Sequence, residues 1–94
     1  MKVGIRSTLH ISKILSGRSI SIDLNGSMSL RELLKELTNT YGHEFYNAVC
    51  DEGGYPANKV AILINGVSAV AKDGVDTIIN EGDDILIMPI ISGG

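Results

Sequence analysis

Ninety-four residues fit one domain on ordinary size priors, and surface scaling leaves roughly 64% of the extended chain's surface to be buried, enough for one small core. With 44% hydrophobic and 20% charged residues the composition is globular, not disordered. A net charge of −3 argues against nucleic-acid binding as the main activity, and the single cysteine, Cys50, excludes an internal disulfide framework or a multi-thiolate metal site. No apolar run approaches the ~20 residues of a membrane span. The start, Met1-Lys2-Val3-Gly4, lacks the apolar stretch of a signal peptide. Two histidines and few clustered acids leave little material for an enclosed active site. These features predict a soluble, cytoplasmic binding or carrier module and not a free-standing enzyme.

Along the chain, Val3, Ile5, Ser7 and Leu9 alternate with Lys2, Gly4, Arg6 and Thr8, which predicts a strand with one mainly apolar face. A second strand carries Ile20, Ile22 and Leu24. Between them Ile11, Ile14 and Leu15 have helical spacing, but Gly17 limits any helix to about one turn. Residues 1–25 therefore read as a hairpin with a long connection, closed at Asn25-Gly26. Ser29 stands three residues before Glu32, the capping-box spacing at a helix start. Leu30, Leu33, Leu34, Leu37 and Tyr41 form one stripe, Arg31, Glu32, Lys35 and Glu36 the solvated face, and Gly42 a left-handed end. Residues 44–50 predict a short second helix turned inward through Phe45, Ala48 and Val49.

Val60–Ile64 is apolar on both faces, as a central strand would be. Asn65-Gly66 then marks a hairpin turn, because type I′ turns need positive φ at both central residues. Val67 to Ala71 returns as a short strand, and Lys72 to Asp84 reads as a polar loop. The last strand runs from Asp84 to Pro89, whose missing N–H suits a strand end. Hairpin, helix, then further strands is the β-grasp order: α+β, a mixed sheet of four to five strands with one main helix across one face. The first and last strands are expected as parallel neighbours in its middle. The boundaries are 1–89 for the domain and 90–94 for a flexible C-terminal tail.

That tail, Ile90-Ile91-Ser92-Gly93-Gly94, is the most informative feature. Two residues without side chains make the thinnest possible peptide, free in backbone conformation. Pro89 to Gly94 could extend roughly 20 Å, thread a narrow channel and present a carboxylate to the α-phosphate of a nucleotide. Met88, Pro89, Ile90 and Ile91 lead into it, and apolar side chains exposed beside a functional terminus predict a docking surface, with Ser92 part of the same approach.

Several segments, in order, resemble the MoaD/ThiS family of ubiquitin-like sulfur carriers, which includes the small subunit of molybdopterin synthase. They are Leu63-Ile64-Asn65-Gly66-Val67, Gly74-Val75-Asp76-Thr77, Glu81-Gly82-Asp83-Asp84, Pro89 and Ser92-Gly93-Gly94. Leu15-Ser16-Gly17-Arg18 and the helix start Ser29-Leu30-Arg31-Glu32-Leu33-Leu34 extend the resemblance over nearly the whole chain. The resemblance implies that Gly94, with Gly93 beside it, is adenylated by a separate enzyme related to ubiquitin-activating enzymes and converted to a thiocarboxylate. ATP would be used by that partner, and this chain would bind no cofactor and no metal of its own. Asn65-Gly66-Val67 and Gly74-Val75-Asp76-Thr77 look more like MoaD than ThiS, which leans towards molybdopterin biosynthesis, with a synthase large subunit as a second partner, while thiamine, cysteine synthesis and tRNA thiolation stay open as the pathway served. Two alternatives stand beside this reading: a ubiquitin-like modifier joined to target lysines through Gly94, and a passive β-grasp interaction module.

The remaining reactive residues read as structural. Cys50 behaves as a small buried hydrophobe. His10 and His43 are far apart and lack metal-ligand spacing. Asp83-Asp84 are turn residues before a strand, and Gly53-Gly54 belongs to a loop.

Overall fold

Strand formation follows the period-two pattern closely. The computed structural model describes residues 1–90. Seven strands, β1 (Lys2–Ser7), β2 (Ser19–Asp23), β3 (Met28–Ser29), β4 (Val60–Ile64), β5 (Val67–Ser68), β6 (Ile78–Ile79) and β7 (Asp84–Pro89), accompany three helices, α1 (Leu9–Ile14), α2 (Leu30–Tyr41) and α3 (His43–Val49). The main sheet has the order β2-β1-β7-β4-β5, and β3 and β6 form a separate two-stranded ladder. β1 runs antiparallel to β2 and parallel to β7, with Gly4 opposite Asp84 and Ser7 opposite Ile87. This is the β-grasp arrangement, with the first and last strands side by side at the centre.

α2 lies across one face of the sheet. Ser29 caps it: the Glu32 N–H donates to Ser29 Oγ at 3.2 Å while the Ser29 N–H donates to Glu32 Oε1 at 3.1 Å. Leu30, Leu33, Leu34 and Leu37 are buried against Val3, Ile5, Ile62, Ile64, Ile85 and Ile87 of the sheet's inner face. Gly42 ends α2 with positive φ, but its ψ of −165° is extended and not left-handed helical as expected. That region is open essentially to glycine alone, and it lets α3 begin at once, with Phe45 and Val49 buried and Ala48 half-buried.

Three further expectations need correction. Leu9 is not an inward strand residue: β1 leaves the sheet after Ser7, whose N–H donates to the Arg18 carbonyl at 2.9 Å, and Leu9 opens α1 with φ +54° and is 56% exposed. Ile11 and Leu15 take the core positions instead. β5 stops at Ser68, because the chain turns into a single 3₁₀ turn at Ala69–Ala71. The segment 72–84 is more than a loop. It holds a 3₁₀ turn at Gly74–Asp76 and strand β6, it buries Val75, Thr77 and Ile79, and β6 pairs with β3. β4, by contrast, is an inner strand apolar on both faces as expected, with Ala61 and Leu63 half-buried on its outer side. Asn65 and Gly66 have φ of +53° and +85°, both positive as a type I′ turn demands.

Candidate functional site: the end of β7 and the open face of the sheet

The chain's approach to its C-terminus is set by β7. Ile85 and Ile87 point into the core, so alternation puts Leu86 and Met88 on the outer face. The register with β4 places Leu86 beside Leu63 and Met88 beside Ala61. No helix among the described residues covers this side, and the four side chains form a half-buried apolar patch. Arg6 and Asp84 border it. Arg6 Nη2 donates to Asp84 Oδ2 at 2.7 Å and Nε to Oδ1 at 3.0 Å, a two-pronged pair in which both side chains stay substantially exposed. Hydrogen bonding to Asp84, then its charge, raises the Arg6 pKa above its usual value, so the guanidinium stays charged.

Pro89 is half-buried opposite Val60. Its position has a physical logic. The ladder with β1 ends at Ile87, and the next donor on that side of β7 would be residue 89, which has no N–H. Towards β4 the ladder continues one step further, since the Ile90 N–H donates to the Lys59 carbonyl at 2.7 Å. Ile90 is thus anchored by its backbone while its side chain is 55% exposed. Met88, Pro89 and Ile90 are brought together at one end of the sheet. Ile91, Ser92, Gly93 and Gly94 lie outside the described residues. Leu63, Leu86 and Ala61 are the members of the patch that sequence reasoning missed. The signal available was the second apolar face of Val60–Ile64.

Other candidate groups are held by structure. Cys50 is buried, and burial first, then the Asp51 charge, pushes its thiol up. Asp83 Oδ2 accepts from the Asn80 N–H at 2.8 Å and Oδ1 from Asn65 Nδ2 at 2.9 Å, which fixes the turn before β7. Arg31 is exposed as expected but engaged: its guanidinium sits 4.9 Å from the Tyr55 ring centre and 3.7 Å from Asp76. His10 and His43 are exposed at separate places, His43 meeting the Tyr46 ring edge-on. Gly53 is part of an Asx turn, its N–H donating to Asp51 Oδ1 at 2.9 Å. Among the described residues no helix is long and apolar enough to cross a membrane.

A scan against protein-family models matches the ThiS family over residues 12–94, most of the chain and all of its C-terminal part.

The chain belongs to the ThiS family.

ThiS/MoaD-family proteins are small carrier proteins and not themselves enzymes. A search of the curated proteins finds no match. Among solved structures, the small archaeal modifier protein 1 from Methanosarcina acetivorans superposes with a TM-score of 0.76 at 22% identity, over 99% of this chain and 96% of that one. Urm1 from Trypanosoma brucei gives a TM-score of 0.82 at 20% identity, over 99% and 95%. A chain of the Amycolatopsis orientalis BexX/CysO complex gives 0.77 at 15%, over 98% and 99%. At these identities the likeness establishes the ubiquitin-like β-grasp fold.

Proposed function

We propose that this ThiS-family carrier is activated at the Gly94 carboxylate and delivers sulfur for molybdopterin biosynthesis in the cytoplasm. The observation that carries the reading is a coincidence of sequence and fold. The family match runs through Gly93-Gly94, and the strand leading there is the central one of the sheet, hydrogen-bonded as far as Ile90. Ile91-Ser92-Gly93-Gly94, with two residues lacking side chains, follow directly on that anchored strand. The four residues beyond Ile90 reach roughly 13–14 Å at full extension.

The chemistry is a leaving-group problem. A carboxylate resists nucleophilic attack because the attack adds charge to an anion. Its oxygen attacks the α-phosphorus of ATP, pyrophosphate leaves, and the acyl-adenylate no longer carries the carboxylate's charge. The terminal sulfur of a donor protein's persulfide then displaces AMP to give an acyl disulfide, and a thiol attacks the donor's sulfur, forming a disulfide there and releasing the thiocarboxylate. The activating enzyme supplies the ATP site and the catalytic groups. This chain supplies the arm, and the Leu63, Leu86 and Met88 patch together with Ile90 supplies the docking face. A molybdopterin synthase large subunit would receive the charged arm. The fold shared with the small archaeal modifier protein 1 supports one further reading, in which a lysine amine of a target protein displaces AMP and an amide results.

The test is ATP–pyrophosphate exchange with the cognate activating enzyme. Deleting Gly94, or adding one residue after it, should abolish exchange, since one residue displaces the carboxylate by over 3 Å and errors of about 1 Å already cost about a hundredfold. The melting temperature should stay within a degree or so of the parent's. Undiminished exchange by the deletion variant would overturn both readings and leave the passive module. Mass spectrometry of protein from its own cells separates the first two. A thiocarboxylate is heavier by the difference between sulfur and oxygen, whereas conjugates appear as much larger species.

A further inference from the structure

The outer edge of β4 is left open over half its length. β5 pairs with Leu63 and Ile64 only, because the chain turns away at Ala69. The Ile90–Lys59 bond fixes the parity of the β4–β7 ladder: residues 59, 61 and 63 turn their backbone polar groups towards β7, and Val60, Ile62 and Ile64 turn theirs outward. The Val60 N–H is consumed by a turn to the Ala57 carbonyl at 3.0 Å. The β4–β5 ladder stops at Leu63–Ser68, so the Val60 carbonyl and the Ile62 N–H have no strand partner on this side among the described residues, whereas the Ile62 carbonyl lies opposite Ala69 where that ladder ends.

Exposed edges are normally blunted by charge, proline or a covering loop. This one instead borders a groove of about 460 Å³ whose lining includes Leu30, Tyr55, Ile62, Val70 and Val75. Val70 is 89% exposed and Tyr55 47%, and both project at its rim. Hydrogen bonds from the Gly53 and Tyr55 N–H groups to Asp51 Oδ1, at 2.9 and 3.1 Å, hold the loop that carries Tyr55. Asp73 is the one ionised side chain in the lining among the described residues, and its carboxylate makes no hydrogen bond or ion pair among them.

We propose that the β4 edge at Val60–Ile62 is a strand-addition site, taking an extended apolar segment of another protein that carries a basic residue next to its apolar part. The unpartnered edge groups select an extended backbone, the lining selects apolar side chains, and Asp73 selects the flanking positive charge. A concave groove suits a single strand better than the edge of a second sheet. The groove adjoins the outer face of the sheet, sharing Ala61 with it, and Ile90 also lines the groove. A partner held here would sit beside the base of the tail.

The probe is the peptide acetyl-Lys-Val-Ile-Val-Lys-amide, titrated into ¹⁵N-labelled protein. Shift changes should centre on Val60–Ile62 and Ser68–Val75, and exchange of the Ile62 amide proton should slow by about tenfold or more as it gains a partner. The same peptide with Glu flanks should bind roughly tenfold more weakly, and Asp73→Asn should shrink that difference, because it removes the charge that discriminates them. Val70→Ser, at an exposed position, removes apolar lining without adding charge and should weaken the Lys peptide without altering the fold. Two further peptides, N-methylated at Ile or at both Val residues, test the backbone bonds: one of the two must fail to bind. The proposal is overturned by no saturable binding at millimolar Lys peptide, or by equal binding of both methylated forms. Shift changes centred on Leu63, Leu86 and Met88 would overturn it as well. A dimer in sedimentation equilibrium that protects Ile62 without peptide would show the occupant to be a second copy, and would also overturn it.

Discussion

The two faces of β7 differ by one residue of register and by everything in use. Ile85 and Ile87 are wholly buried under α2, whereas Leu86 and Met88, their immediate neighbours, stand half-buried on a face that no helix crosses. The inner face has one partner and a fixed geometry. The outer face has the same apolar chemistry and no helix over it among the described residues. Alternation along a single strand thus separates the residues that make the fold from those that stay half-exposed, and a substitution on one side need not be felt on the other.

The largest expected effect lies on the inner side. Leu33→Ala or Leu34→Ala should cost about 2–5 kcal/mol in denaturant unfolding, because each leaves a cavity between α2 and the sheet. Leu86→Ala should cost distinctly less, and equal losses would erase the distinction between the faces. Next comes the start of α2. Ser29→Ala removes the side-chain half of the capping box and should cost about 1 kcal/mol, or about 4–8 °C in melting temperature. Ile90→Asp should change stability by no more than about 0.5 kcal/mol yet weaken binding to the activating enzyme, as should Ile91→Asp in the tail. Equal affinity would move the docking surface away from the tail's base. The smallest effect concerns Cys50. Burial raises its pKa, so the folded thiol holds less thiolate at pH 8 than the unfolded one. Iodoacetamide should label it several-fold more slowly in buffer than in denaturant. The same sign means that any stability from keeping the thiol neutral is present below the unfolded pKa, and is lost as pH rises through the folded one.

What was legible in the sequence was whatever local pattern decides. The Ser29/Glu32 spacing and the leucine stripe place α2, and positive φ at Asn65-Gly66 places the β4–β5 turn. Other elements depend on contacts distant in sequence. β6 is two residues long and exists through pairing with Met28 and Ser29, so the burial of Val75, Thr77 and Ile79, although spaced by two, was masked by the surrounding glycines and acids. α1 was foreshadowed by Ile11, Ile14 and Leu15, but the exit from β1 at Ser7 was not, and Leu9 went to the wrong side. The candidate site divides in the same way. Met88, Pro89 and Ile90 are contiguous and could be named from the chain alone, whereas Leu63 joins them only through the β4–β7 register.

The parallel pairing of β1 with β7 also governs when this protein can fold. Arg6 and Asp84, 78 residues apart, sit on adjacent strands, and the centre of the sheet cannot close until β7 has been made. Such non-local closure slows folding relative to helical domains of similar size. On the ribosome, β1 and β2 can form a hairpin early but must wait for their central neighbour, with one long apolar edge open in the meantime. A nascent chain interrupted before residue 84 therefore lacks the middle of its core. The sheet thus closes only when the strand farthest along the described chain meets the first one.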